Sequence, residues 1–129
     1  MSEVGKLPKI AAVFGSTGGI GRALCEGLIA GGCEKVYAGS RAGIEPAGDG
    51  IAPFAFDLRD EGSIALAAAM MQEAPPLWVI VASGVLTLAD GTGPERTYKR
   101  LSAASMAEVL ARNTIGPALV AKHVLPLMP

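Results

Sequence analysis

The chain has 129 residues, 50% of them hydrophobic and 18% charged, with 11 Lys plus Arg against 12 Asp plus Glu. That length suits one domain with a real core, and charges scattered without a run predict no cationic field for nucleic acid or an anionic membrane. No apolar stretch approaches the roughly 18 residues that a membrane span needs.

The polar leader over residues 1–8 is predicted to be flexible and lacks the apolar stretch of a secretory signal, so a cytoplasmic location is expected. Ile10 to Phe14 (IAAVF) is a continuous apolar run ending at glycine, which predicts a strand buried on both faces. From Gly19 to Gly31 the period becomes helical, with Ile20, Leu24 and Leu28 expected to form the packed face and the Gly31-Gly32 pair to stop the helix. Cys25 and Cys33 match neither a metal site nor a disulfide framework and are expected to be free. Lys35 to Ser40 (KVYAGS) reads as a second strand, and the Gly- and Pro-containing segment 41–50 as a loop.

Ile51 to Phe56 (IAPFAF) predicts a third strand, placed at a sheet edge because Pro53 has no donor for the ladder. Asp60 can cap a helix running through Ile64, Ala67, Ala68 and Met71 to the stop at Pro75-Pro76. Leu77 to Val81 (LWVIV) is the next buried strand, expected to be central, with Trp78 as a core or edge aromatic. A long loop follows to Leu101, of the length that is usually functional or mobile. A last helix starts either with Ser102 as cap or with Ser105 and Glu108 as a capping box. Met106, Val109, Leu110 and Asn113 share one face of it, continuing toward Val120 and Val124, and Gly116-Pro117 predicts a bend. His123, without a second ligand at metal spacing, is expected to cap the helix end or face solvent, and no metal site is expected.

Alternating strands and helices predict an α/β fold with a mainly parallel sheet and helices on both faces. The sharpest motif is FGSTGGIGR, Phe14 to Arg22, between the first strand and first helix. Gly15 permits the tight turn, Gly19 lets backbone amides approach a pyrophosphate, and Gly21 removes a side chain where helix meets sheet. The helix amino terminus adds partial positive charge and free N–H groups. The segment lacks the Gly-Lys-Ser/Thr ending of the other common phosphate loop.

With Gly15, Gly19 and Gly21 at Gly-x-x-x-Gly-x-Gly spacing, the chain resembles the short-chain dehydrogenase/reductase family. Asp57 in FDLRD matches an Asp that contacts the adenine edge in that family, Val81-Ala82-Ser83-Gly84 stands where the family has Asn-Asn-Ala-Gly, and Asn113 to Gly116 matches its Asn-x-x-Gly. The resemblance implies a Rossmann-like, three-layer α/β/α domain with parallel strand order 3-2-1-4. It also implies a dinucleotide site made by Gly15, Ser16, Thr17, Gly19, Ile20, Gly21, Ser40, Arg41, Asp57, Leu58, Ala82, Ser83 and Gly84, with Asn113 as an accessory catalytic residue. The alternative for Asn113 is a bond to an exposed backbone carbonyl. At the end of the second strand an acid would favour NAD, whereas Ser40-Arg41 offers a cation for the 2′-phosphate of NADP; NADP is therefore expected, with a solvated surface arginine as the alternative.

The family's reaction is hydride transfer between a nicotinamide and a carbonyl or alcohol, served by a Ser and Tyr-x-x-x-Lys. Tyr37 is followed four residues later by Arg41 and Tyr98 by Ser102, so neither heads that motif, which the resemblance places beyond Pro129. The sequence therefore predicts a domain incomplete relative to the family and silent alone. The fourth strand is expected to lack its next neighbour, and Met106, Leu110 and Val120 to form an exposed patch covered by self-association or a partner. The rival expectation is a non-enzymatic dinucleotide-binding or protein-interaction module working as an oligomer.

Overall fold

The computed structural model describes residues 6–85, 88 and 90–129. Strands β1 (Ile10–Phe14), β2 (Lys35–Ser40), β3 (Ile51–Ala55) and β4 (Trp78–Val81) make one sheet in the order β3-β2-β1-β4, every neighbouring pair parallel. The fold is Rossmann-like, as expected. β1 pairs on both sides, with Phe14 opposite Gly39 of β2 and Val81 of β4. Pro53 is accommodated because β3 is an outer strand.

The two-residue period of the strands sorts side chains into two cores. Ala11, Val13, Val36 and Ala38 pack with Cys25 and Leu28 of helix α1 (Gly19–Ala30) on one face. Ala12, Phe14, Tyr37 and Phe54 pack on the other face with Ile64, Ala67 and Ala68 of α2 (Glu61–Met70) and with Val120 and Val124 of the last long helix. Phe14 meets Phe54 and Phe56 edge-on, with ring centroids 5.0 and 5.1 Å away. Asp60 caps α2, its side chain accepting from the Ser63 amide.

That long helix has three parts. α3 (Ala103–Leu110) is capped by Ser102, whose Oγ accepts from the Ser105 amide, which decides between the two caps the sequence allowed. Five residues, Ala111–Ile115, are wound as a π-helix, and α4 (Gly116–Val124) continues from them. The wider turn absorbs Pro117, which lacks a donor and whose ring would crowd the carbonyl one turn back. Gly116 is buried because a Cβ there would stand 2.6 Å from Leu58 Cβ and 2.8 Å from the Leu58 carbonyl oxygen, so only glycine lets the helix close on the chain after β3.

Several expectations need correction. The buried face of α1 is Gly21, Cys25 and Leu28, while Ile20 is 75% exposed. The packing contact centres on the smallest residue of the helix, which rotates that face away from the apolar triplet seen in the sequence. β4 is the outermost strand rather than a central one, and Trp78 on it is 42% exposed. Val120 is 1% exposed, so it belongs to the core, whereas Met106 and Leu110 do face solvent. His123 bonds through Nε2 to Glu61 Oε2 at 2.7 Å, and Lys122 Nζ reaches the same oxygen at 2.7 Å. Of the leader expected over residues 1–8, residues 1–5 lie outside the described residues, while Leu7 packs on the α1 core and Pro8 is buried. The long loop includes a 3-10 turn at Tyr98–Arg100, and its residues 86, 87 and 89 lie outside the described residues. Cys25 and Cys33 are buried free thiols, both pushed above the ordinary thiol range chiefly by burial. Among the described residues, no helix is long and apolar enough to cross a membrane.

Candidate functional site

At the carboxyl ends of the parallel strands the chain leaves β1 through a turn whose geometry requires glycine. Gly15 has φ +106°, and a Cβ on it would stand 2.8 Å from the Ser83 amide nitrogen and 2.9 Å from the Ala82 carbonyl carbon. The turn therefore packs directly on the segment leaving β4. The amides of Gly15 and Ser16 both donate to the Gly39 carbonyl, at 2.9 and 2.8 Å, tying the turn to β2. At Gly21 a Cβ would collide with the Gly15 carbonyl, which is why α1 can start so close to the turn.

Gly19 differs from both. Nothing lies within 4 Å of where its Cβ would project, and the same holds for Gly18. Gly18, at the cap position, has no side chain to accept from the helix, and the first turn carries no acid. Among the described residues the amides of Gly19, Ile20 and Gly21 have no intramolecular acceptor. These three N–H groups lie at the positive end of a helix dipole, with open space above Gly19, an arrangement that suits an anion and needs no lysine.

A cleft of about 310 Å³ opens beside this helix end, lined along the turn by Gly15, Thr17 and Gly18 and along β2 by Ser40 and Arg41. Phe56, Asp57 and Leu58 after β3, and Ala82 to Val85 after β4, complete it with Arg112 of the π-turn. The cleft thus brings together Gly15, Thr17, Ser40, Arg41, Asp57, Leu58, Ala82, Ser83 and Gly84, all expected from the sequence. Ser16 stands outside it: its side chain is buried and its Oγ donates to the Glu45 carbonyl at 2.9 Å. Gly19, Ile20 and Gly21 are absent from the cleft wall as well, and what they offer the site is backbone N–H.

The polar groups of the cleft are differently committed. Ser40 Oγ accepts from the Gly43 amide at 2.9 Å, so the hydroxyl braces the loop after β2. Arg41 is exposed and makes no ion pair among the described residues. Asp57 is gripped by Arg59, whose side-chain hydrogen bonds hold the carboxylate down at about 2. Asn113 stands at the cleft's rim rather than in its wall: Nδ2 donates to the Val85 carbonyl at 2.6 Å and Oδ1 accepts from the Val85 amide at 2.7 Å. Neither tyrosine is in the cleft. Tyr37 is buried with its hydroxyl donating to the Ala74 carbonyl at 2.8 Å, and Tyr98 is exposed on the 3-10 turn.

Phe56, Val85 and Arg112 of the cleft were not expected from the sequence. The signal for Arg112 was present as the i, i+4 partner of Glu108, since Arg112 Nη2 lies 3.0 Å from Glu108 Oε1.

The family model for short chain dehydrogenases matches residues 9–129. The chain belongs to this family. No curated protein matches it in sequence. Solved structures similar to it include the Thermoplasma acidophilum aldohexose dehydrogenase, with 18% identity and TM-score 0.77 over 95% of this chain and 45% of that one. The NADPH-bound carbonyl reductase from chicken fatty liver has 23% identity and TM-score 0.76, over 94% and 48% of the two chains. A Burkholderia cenocepacia short chain dehydrogenase in complex with NADP has 24% identity and TM-score 0.70, over 92% and 47%. At such identities the likeness speaks for the fold, and the chain spans about half the length of these proteins.

Proposed function

We propose that this chain supplies the dinucleotide-binding portion of an NADP-dependent short-chain oxidoreductase acting on a carbonyl or alcohol. The observation that carries the reading is the uncapped amino terminus of α1, with open space above Gly19, beside a cleft that runs to Arg41 and Asp57. The amides of Gly19, Ile20 and Gly21 receive the pyrophosphate, and the turn set by Gly15, Ser16 and Thr17 places them. Asp57 and Leu58 border the adenosine end, and Ala82, Ser83 and Gly84 line the wall toward the nicotinamide. Arg41, a cation that makes no ion pair among the described residues, takes the 2′-phosphate, which favours NADP over NAD. When bound, the nicotinamide supplies the hydride chemistry.

The chain's own residues bind and orient, and none of them serves as the acid or base of the reaction. Tyr37 has its hydroxyl spent in the core, Tyr98 is away from the cleft, and neither is followed by lysine at the fourth position. Asn113 positions Val85 at the rim and acts only as an accessory. The chain alone is therefore expected to bind a dinucleotide without turning over a carbonyl, in the cytoplasm.

Calorimetric titration with NADPH and NADH tests the reading. Binding that Gly19→Val abolishes supports it, because an added side chain would fill the space above the amides. A folded protein that ignores both dinucleotides at millimolar concentration overturns it.

A second reading, an oligomeric dinucleotide-binding or interaction module, is favoured by the outer position of β4 and by solvent-facing Met106 and Leu110. Light scattering across a concentration series separates the two, since that module requires a stable assembly and the first reading does not.

A further inference from the structure

Beyond the turn, the cleft's most organised feature is a chain of four charges. Arg59 grips Asp57 with a two-point fork, Nε 3.1 Å from Oδ1 and Nη2 2.9 Å from Oδ2, and its backbone amide also donates to Oδ1 at 2.9 Å. Its third guanidinium nitrogen, Nη1, reaches Glu108 Oε1 of α3 at 3.1 Å. Glu108 Oε1 also accepts from Arg112 Nε at 3.0 Å. Asp57 and Arg112, the two ends of this chain, both line the cleft.

Stability is a small part of what the network supplies. The Asp57 and Arg59 side chains are 34% and 38% exposed, and pairs so open to water contribute little to folding. Geometry is the larger part. A carboxylate alone turns about its terminal torsion, whereas a planar fork on one edge fixes its plane. Oδ1 already accepts twice, whereas Oδ2 accepts once and keeps a lone pair for a further donor. An ionised carboxylate only accepts, so the ligand group it selects must donate: an exocyclic amino group fits, and a carbonyl oxygen in the same place is repelled.

We propose that Arg59, anchored by Glu108, is a positioning residue that holds Asp57 as a fixed acceptor and so makes the cleft selective for a dinucleotide whose base carries an exocyclic amino group. This inference rests on the dinucleotide reading above. Arg59 acts through Asp57 and need not touch the ligand.

The test is calorimetric titration of the wild-type chain, Arg59→Ala, Arg59→Lys and Glu108→Gln with NADPH and with its hypoxanthine counterpart, in which a carbonyl oxygen replaces the 6-amino group. The wild type is expected to favour NADPH by about tenfold, the worth of one charge-assisted hydrogen bond. Arg59→Ala is expected to bring the preference near unity by weakening NADPH alone. Arg59→Lys, which keeps the charge without the fork, leaves it low, and Glu108→Gln narrows it in part. The lysine and glutamine variants carry the test if the alanine variant does not fold. Equal weakening of both ligands, or an unchanged preference in Arg59→Ala and Arg59→Lys, overturns the inference. A wild type that binds both equally overturns this inference alone, and one that binds neither removes the dinucleotide reading together with it.

Discussion

Asn113 holds both polar groups of Val85 with one side chain, donating to its carbonyl at 2.6 Å and accepting from its amide at 2.7 Å. The π-turn thereby fastens the segment leaving β4 to the long helix, and the amide side chain does for one residue what a neighbouring strand does for many. Asn113→Ala is expected to lower stability by about 1 kcal/mol and to speed hydrogen exchange at the Val85 amide, read by NMR. Asn113→Asp keeps only the acceptor half, so the Val85 amide is expected to stay protected while the carbonyl loses its donor.

The glycines of the turn are expected to separate by role. Gly21→Ala pushes a Cβ into the Gly15 carbonyl and should cost about 2 kcal/mol in urea unfolding. Gly19→Ala meets open space and should change stability by less than about 0.5 kcal/mol. A large loss of stability in Gly19→Ala would mean that the space above it is needed by the protein itself.

Asp57 makes stability depend on acid in a known direction. Its carboxyl moves from 3.8 to about 2 on folding, mainly through the Arg59 hydrogen bonds. Because the folded value is the lower one, the stabilisation is complete above 3.8 and is lost as pH falls toward 2. With the side chain 34% exposed, solvent screening leaves about 1 kcal/mol. Asp57→Asn is expected to flatten that part of the unfolding profile between these two pH values, measured by urea titration, and an unchanged slope would count against the pairing.

Arg41→Ala tests the cofactor preference. The side chain makes no ion pair among the described residues, so the melting temperature is expected to hold. NADPH is expected to bind about tenfold more weakly while NADH is unaffected. Equal loss for both would assign Arg41 to general attraction rather than to the 2′-phosphate.

Much of this site was legible before the fold. The run from Ile10 through the glycines to Leu28 is local: a strand buried on both faces must be apolar throughout, and its turn must carry glycine where φ is positive or backbone meets backbone. The outer place of β3 and the cap at Asp60 follow from equally local chemistry, whereas the strand order came from the family resemblance and the choice of Ser102 as cap from the structure. Arg41 could be placed from the end of the second strand, and Asp57 and the Ala82 to Gly84 segment from the family resemblance; they meet because parallel strands deliver their carboxyl ends to one rim.

What the sequence by itself determined, then, is the element order and the glycine turn, since both follow from the backbone preferences of neighbouring residues. Only the tertiary structure decided which face of α1 is buried, that Ser16 turns to Glu45 and away from the cleft, and that Arg59 joins Asp57 to Glu108. Arg59 and Glu108 stand 49 residues apart. No period or spacing can report such a pairing, because it exists only once Gly116 has let the helix close on Leu58.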